Sequence, residues 1–206
     1  MLLKTLCVIA LTFVGACSLY AQEEDSVVIS SFYEETPKVY TTTNKGHSGI
    51  NVIKANLGLG WYTTELADDY EKKKGVSNSS FALSYLHCWE SGFGLGFSYY
   101  KATGSWHGDV KLDFVGPVFA YAGESENGRW FVETSIGLGY GNLAWGENKI
   151  TGLGGLIAIG CTYKLTKYFG VGIDVNCGTV RNGTDSDNNP IGGESLNITL
   201  GPRFFF

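Results

Sequence analysis

The chain has 206 residues and carries 20 acidic against 15 basic side chains, a formal net charge of −5. This acidic balance disfavours a nucleic-acid partner, because binding to a phosphate backbone depends on clustered Lys and Arg. Glycine is frequent, with 29 residues, and 12 Tyr, 12 Phe and 5 Trp accompany it. That combination favours close-packed, strongly tilted β-strands within a single domain.

Residues 1–21 have the three regions of a secretory signal peptide. Lys4 precedes an apolar stretch over residues 5–16, and cleavage is expected after Ala21, at the end of Ser18-Leu19-Tyr20-Ala21. A lipoprotein is the alternative, since residues 14–17 resemble a lipobox that would leave Cys17 lipidated. No other segment has the ~20 consecutive apolar residues that a membrane-spanning helix needs. Any further membrane span must therefore consist of strands.

Residues 22–49 are predicted to form a periplasmic lead-in without a membrane span. Ser26–Tyr33 and Lys38–Thr43 are the alternative, because they could add two short strands and make ten in total. Both are shorter than the ~9–11 residues that a tilted membrane strand needs. We therefore prefer eight strands, all of them in residues 50–206.

Eight segments of residues 50–206 alternate apolar with small or polar side chains, and side chains alternate across a strand with period two. They cover residues 53–61, 81–89, 93–99, 109–121, 130–140, 155–163, 169–175 and 196–206. A soluble lipocalin-type barrel would have an apolar interior. Here Lys54, Glu133, Asp174 and Arg203 share the glycine-rich face. The pattern predicts an all-β, eight-stranded antiparallel up-and-down transmembrane β-barrel, with aromatic girdles that include Trp61, Trp89, Trp130, Tyr140, Tyr163 and Phe204.

The fourth segment changes phase, because Val110, Leu112 and Phe114 share one parity while Phe119 and Tyr121 share the other. A β-bulge between residues 114 and 116 would account for this change.

Connections are predicted to alternate in length, with short turns on the periplasmic side and long loops outside. The short ones are residues 90–92, 122–129 and 166–167, and the long or polar ones are residues 65–79, 102–108, 142–149 and 181–194. A two-residue turn at Thr166-Lys167 would place Cys161 opposite Gly172.

The export signal, the eight strands and the ending Arg203-Phe204-Phe205-Phe206 resemble the small OmpA/OmpX-type outer-membrane barrels. The resemblance implies a monomer in the outer membrane of a Gram-negative-type bacterium, in contact with its lipid. It also implies that Phe204 and Phe206 are read by the barrel-assembly machinery. The activity stays open, since this family includes adhesins, structural proteins and a few enzymes.

The four charges on the glycine-rich face are expected to pair inside the barrel, because buried charges need partners. Such a network fills a lumen that is already narrow in an eight-stranded barrel. The alternative is a narrow pore for ions or small solutes, in which these charges line the path.

Outer loops are where we expect any extracellular ligand to bind, because binding residues concentrate on loops held by a rigid scaffold. Tyr62, Trp106 and Trp145 are the candidate contacts by residue type. The predicted function is therefore structural, or the display of surface loops.

No convincing catalytic or metal site is found, and we expect no enzyme activity, cofactor or metal. A lipid-modifying enzyme at the rim would use His107, which Ser105 and Asp109 flank, but nearness in sequence is weak support for a triad. Residues 185–189 resemble a calcium loop, yet Pro190 and Leu196 occupy the positions of the required Gly and Glu.

Overall fold

The computed structural model describes residues 49–62, 66–68, 71–73, 76–105, 109–125, 127–184 and 190–206. The strands are β1 (Ile50–Tyr62), β2 (Leu66–Asp68), β3 (Glu71–Lys73), β4 (Ser77–Cys88), β5 (Phe93–Ser105), β6 (Asp109–Glu124), β7 (Trp130–Trp145), β8 (Asn148–Lys164), β9 (Phe169–Thr184) and β10 (Pro190–Phe205). Within these ranges there is no helix long and apolar enough to cross a membrane.

Eight of the strands close into an antiparallel barrel in the order β1-β10-β9-β8-β7-β6-β5-β4, while β2 and β3 pair separately. β1 closes the ring, since Trp61 pairs with Leu196 of β10 on one side and with Ser77 of β4 on the other. This architecture confirms the predicted fold class. The possible extra strands at residues 26–43 lie outside the described residues.

The connections between strands lie at the two ends of the barrel. The turn end, as we call it, carries residues 89–92, 125–129 and 165–168, and the loop end carries residues 63–76, 106–108, 146–147 and 185–189. The predicted long or polar connections at residues 102–108 and 142–149 are wrong in extent, because β5 continues to Ser105 and because β7 and β8 leave only residues 146–147 between them. β7 and β8 are joined by a two-residue turn in which Gly146 has a φ of 54°.

The predicted register between β8 and β9 is also wrong, by one residue. Their connection occupies four residues, and Cys161 faces Ile173 instead of Gly172. The Thr166 hydroxyl explains the wider turn, since it accepts hydrogen bonds from the backbone N–H of Tyr168 at 3.2 Å and of Phe169 at 3.0 Å.

The outer face of the barrel is apolar, as the alternation predicted. Leu57 and Leu59 are 70% and 72% exposed, and aromatic pairs ring the turn end. Their ring centroids lie 5.0 Å apart for Trp130–Tyr163, 5.3 Å for Phe93–Tyr121 and 5.4 Å for Phe169–Phe204. From Leu196 to Phe204 the outward side of β10 spans about 27 Å of strand, or about 20 Å of depth at a tilt of about 40°. That height is close to the ~25 Å apolar band of outer-membrane barrels.

β6 contains no bulge, so that prediction is wrong. A single register joins it to β7 from Val110↔Trp145 to Glu124↔Phe131. Val110, Leu112 and Phe114 point inwards and are fully buried, whereas Phe119 is 66% exposed on the outside. The apparent phase change arises because the large apolar residues of β6 lie on its inward face at the loop end, where the outward residues Lys111 and Asp113 are polar, and on its outward face nearer the turn end.

Candidate functional site

The barrel interior is the candidate site, and it is divided into three layers along the axis. A loop-end cluster of buried apolar side chains comprises Tyr62, Val76, Ala82, Tyr100, Ala102, Val110, Leu112, Phe114, Leu143, Leu156 and Val180. A turn-end cluster comprises Val52, Leu86, Cys88, Val118, Ala120, Ala122, Phe131 and Phe205. Between them lies a polar layer built around Lys54, Glu133, Asp174 and Arg203. Buried side chains therefore occupy the lumen in all three layers.

The polar layer brings the four predicted charges into one ion network. Lys54 Nζ lies 2.5 Å from Glu133 Oε1 and 3.5 Å from Asp174 Oδ2. Arg203 Nη2 lies 2.8 Å from Asp174 Oδ1. No residue of the four is more than 3% exposed. Two cations and two anions sum to zero charge, which is the condition under which ions are tolerated in a low-dielectric interior.

Neutral side chains complete the coordination of these ions. Asn56 donates its Nδ2 hydrogen to Asp174 Oδ2 at 2.7 Å and accepts a hydrogen bond from Arg203 Nη1. Arg203 Nη1 also donates to the main-chain oxygen of Gly201 at 3.2 Å. Sequence reasoning did not single out Asn56, although it shares the inward parity of Lys54 and lies two residues further along β1.

A second polar group continues the layer towards the loop end. Asn176 donates to Thr199 Oγ1 at 2.8 Å, and the Tyr100 hydroxyl lies 2.9 Å from Ser195 Oγ. Asn197 also donates to the Tyr100 hydroxyl. The Tyr100 hydrogen bonds join β5 to β10 across the lumen, whereas the Asn176–Thr199 bond joins the neighbouring strands β9 and β10.

Glycines supply the space that the ion network occupies. An ideal Cβ on Gly160 would lie 2.9 Å from Glu133 Oε1 and would overlap the Asp174 carboxylate. Gly160 is opposite Glu133 on β7 and opposite Asp174 on β9. A side chain at this position would therefore displace the carboxylates from their partners.

The turn end of the lumen is closed by Lys164. Its Nζ lies 4.5 Å from the centroid of the Phe205 ring and pairs with Glu124 Oε1 at 2.7 Å. Phe205 packs edge-on against Phe131, with a centroid distance of 5.4 Å. The ammonium group and its carboxylate thus cover the apolar cluster at the mouth.

The loop end is closed by Tyr62, which corrects its prediction as an exposed rim contact. Tyr62 is fully buried, and its hydroxyl lies within hydrogen-bond distance of the main-chain oxygens of Ala102 at 3.0 Å and Val110 at 3.1 Å. Trp145 is likewise not in a loop, since it ends β7 and packs half-buried against the loop-end cluster. The third candidate contact, Trp106, lies outside the described residues.

Comparison with known proteins identifies the fold. Neisserial surface protein A superimposes on the chain with a TM-score of 0.55 at 13% identity, over 76% of this chain and 97% of that one. The chain has the fold of the small eight-stranded outer-membrane β-barrels. The comparison confirms the fold that the resemblance of the sequence implied.

Two further solved barrels are similar at lower scores. Ail, the attachment invasion locus protein of Yersinia pestis, solved with the heparin analogue sucrose octasulfate, gives a TM-score of 0.47 at 14% identity, over 77% of this chain and 99% of that one. The N-terminal barrel of Pseudomonas aeruginosa OprF gives 0.47 at 15% identity, over 79% and 100%. No protein-family model and no curated protein matches the chain.

In this outer-membrane barrel fold, Phe204 and Phe206 face outwards and are 48% and 63% exposed. Asn51 holds Phe206 by main-chain hydrogen bonds of 3.0 and 3.1 Å and by its side-chain Nδ2, 3.1 Å from the Phe206 oxygen. The Asn51 Oδ1 atom in turn accepts from the Tyr85 hydroxyl at 2.8 Å. We call the pairing of β1 with β10 the closing seam. Asn51 therefore ties Phe206 to β1 at the turn end of this seam.

The candidate catalytic and calcium residues contribute no described site. His107 and residues 185–189 lie outside the described residues, while Ser105 and Asp109 face each other as a pair across β5 and β6. Over the ranges that the structure describes, no three His, Cys, Asp or Glu side chains are grouped to hold a metal ion.

Proposed function

We propose that the protein lies in the outer membrane of a Gram-negative-type bacterium as a sealed, non-enzymatic barrel with a structural or surface-display role. The observation that carries this proposal is the filled lumen, in which a neutral ion network lies between two apolar clusters. A solute that entered from either end would first have to displace buried apolar side chains. It would then meet charges that already have partners.

The displayed segments in this proposal are the loop-end connections. Tyr62 and Trp145 contribute to the wall and its closure, so contact with an extracellular ligand falls to residues 63–76, 106–108 and 185–189. Trp106 remains the aromatic candidate among them by residue type. The barrel would be monomeric, with its apolar outer face in contact with lipid.

The assembly role of the final strand also belongs to this proposal. Phe204 and Phe206 face outwards next to the closing seam, where the barrel-assembly machinery can reach them before β1 and β10 pair.

Single-channel recording tests the sealed barrel. The refolded mature chain, shown to be folded by a gel shift between unheated and heated samples, is inserted into a planar lipid bilayer. We expect a heat-modifiable species without discrete conductance steps. Ohmic steps that disappear in Glu133→Gln or Arg203→Gln would overturn the sealed barrel and support a narrow pore for ions or small solutes.

A further inference from the structure

A pocket at the turn end carries an excess of positive charge. It has a volume of about 330 Å³ between the β6–β7 and β8–β9 connections, and its charged lining residues are Glu124, Arg129, Lys164 and Lys167. Lys164 pairs with Glu124 at 2.7 Å, whereas Arg129 and Lys167 form no ion pair with any residue that the structure describes. Three cations against one carboxylate give this turn-end pocket a net charge of 3 − 1 = +2.

The two connections that form the turn-end pocket are held by hydrogen bonds of their own. Asn127 Oδ1 accepts a hydrogen bond from the backbone N–H of Arg129 at 3.0 Å, next to Gly128 with its φ of 65°. The Thr166 hydroxyl holds the other connection through two backbone N–H groups. The Lys164 N–H donates to the Arg129 main-chain oxygen at 2.7 Å and joins the two connections. A framework that is already ordered lowers the entropic cost of binding.

The turn-end pocket lies next to the aromatic residues of the outer face. Arg129 and Lys164 are each one residue beyond the Trp130–Tyr163 pair, or about 3.3 Å along the strand. Trp and Tyr side chains of membrane proteins lie at the depth of the lipid headgroups. Leu165, which also lines the pocket, is 58% exposed. The cations are therefore at headgroup depth, with an apolar side chain beside them.

We propose that the turn-end pocket binds the phosphate group of an anionic phospholipid headgroup. The Arg129 guanidinium offers parallel N–H donors that match two phosphate oxygens, and Lys167 supplies a second positive charge. The volume is at the lower end of the ~300–1,000 Å³ of ligand pockets, which suits a headgroup whose acyl chains stay in the membrane along Leu165. Basic pockets at membrane interfaces bind anionic headgroups in this way.

The charge of the pocket selects against other occupants. A metal cation would be repelled by Arg129 and Lys167, and the Glu124 carboxylate is engaged by Lys164. A zwitterionic headgroup would bring its own ammonium group next to these cations. The inference rests on the membrane location in the proposed function, but not on whether the barrel is sealed.

Native mass spectrometry tests the site on the refolded mature chain in an uncharged detergent. It measures the affinity for short-chain phosphatidylglycerol, with phosphatidylcholine as the zwitterionic comparison. Each cation near a headgroup contributes about fivefold to the affinity, so Arg129→Gln/Lys167→Gln should bind phosphatidylglycerol about 25-fold more weakly and lose its preference over phosphatidylcholine. A gel shift between unheated and heated samples first shows that each variant is folded.

A second double variant, Lys111→Gln/Arg181→Gln, is the matched control. It removes the same net charge at the loop end, where Lys111 and Arg181 already pair with Asp109 and Glu194 at 3.1 Å. Its affinity for phosphatidylglycerol should be nearly that of the unmodified chain. Equal weakening by the two double variants would overturn the inference, because net charge would then be the cause.

Competition with inorganic phosphate distinguishes a lipid headgroup from a free anion. Phosphatidylglycerol should stay bound when inorganic phosphate is added at the same concentration, since the lipid also contacts Leu165. Complete displacement would overturn the lipid as the ligand and identify a site for free phosphate. Conductance steps in a planar bilayer would overturn the sealed barrel and leave this result unchanged, so the two proposals fail separately.

Discussion

Lys54, Glu133, Asp174 and Arg203 are each surrounded by protein instead of water, so their ion pairs first have to compensate for lost hydration. A complete buried network contributes little net stability, whereas removal of one member leaves an uncompensated charge. This asymmetry makes the charges mutually dependent. It also explains why Lys54, which contacts both carboxylates at 2.5 and 3.5 Å, is the residue whose loss should matter most.

We predict that Lys54→Met lowers the free energy of unfolding by about 3–5 kcal/mol, because Glu133 then has no cation. The double variant Lys54→Met/Glu133→Met should recover much of that loss, since Asp174 keeps Arg203 at 2.8 Å. Urea unfolding in detergent or lipid vesicles measures both. Lys111→Met is the control, because Lys111 pairs with Asp109 at the exposed rim and should leave the midpoint nearly unchanged. A double variant no more stable than Lys54→Met would contradict the dependence of the Glu133 carboxylate on the Lys54 cation.

At the scale of the residue, the alternation of side chains along each strand is sufficient to place the four charges on the inward face. It does not show which of these charges form ion pairs. Residue type alone favours Tyr62 as a contact at the rim and Trp145 as a contact in an outer loop. Their parity already indicated the interior, since Tyr62 lies eight residues after Lys54 and Trp145 twelve residues after Glu133. Residue type was the weaker signal, because an aromatic ring can close the lumen as well as anchor the rim.

At the scale of the strand, β6 shows where the alternation of apolar and polar residues no longer identifies the inward face. Apolar residues mark the outward face of a strand only where the interior is polar, but β6 enters the apolar loop-end cluster, where its inward residues are apolar and its outward residues Lys111 and Asp113 are charged. Pro117 adds to the ambiguity, because it lacks the amide donor of a regular ladder. The register to β7 nevertheless continues unbroken across it, from Val115↔Tyr140 to Val118↔Gly137. The strands approach closely there, where Gly116 and Gly139 are opposite.

We predict that Gly139→Ala destabilises the barrel, because an ideal Cβ would overlap the Val115 carbonyl oxygen and the Gly116 Cα. Both are backbone atoms, so β6 and β7 would have to separate. The temperature at which the folded band is lost in a gel-shift series should fall by several degrees. Gly123→Ala is the matched control, because its added Cβ would meet nothing within 4 Å. Equal effects of the two variants would contradict the close approach as the cause.

At the scale of the whole molecule, connection length does not distinguish the two ends, because three of the four loop-end connections are as short as those of the turn end. The outer face distinguishes them instead. The turn end is ringed by aromatic pairs directly at the strand ends. Towards the loop end the outward positions become polar or charged, as Lys101, Lys111 and Asp113 show. Strands that continue with polar outer faces project beyond the apolar band into water.

This asymmetry predicts that the loop end faces the cell exterior and the turn end the periplasm. Glu147, in the turn between β7 and β8, and Lys167, between β8 and β9, are both exposed and lie at opposite ends. On intact cells, a membrane-impermeant maleimide should label Glu147→Cys, and should label Lys167→Cys only after the outer membrane is permeabilised. The unmodified chain gives the background from its own cysteines. The reverse labelling pattern would place the apolar mouth covered by Lys164 at the cell surface, and the displayed segments would then be the three short turns.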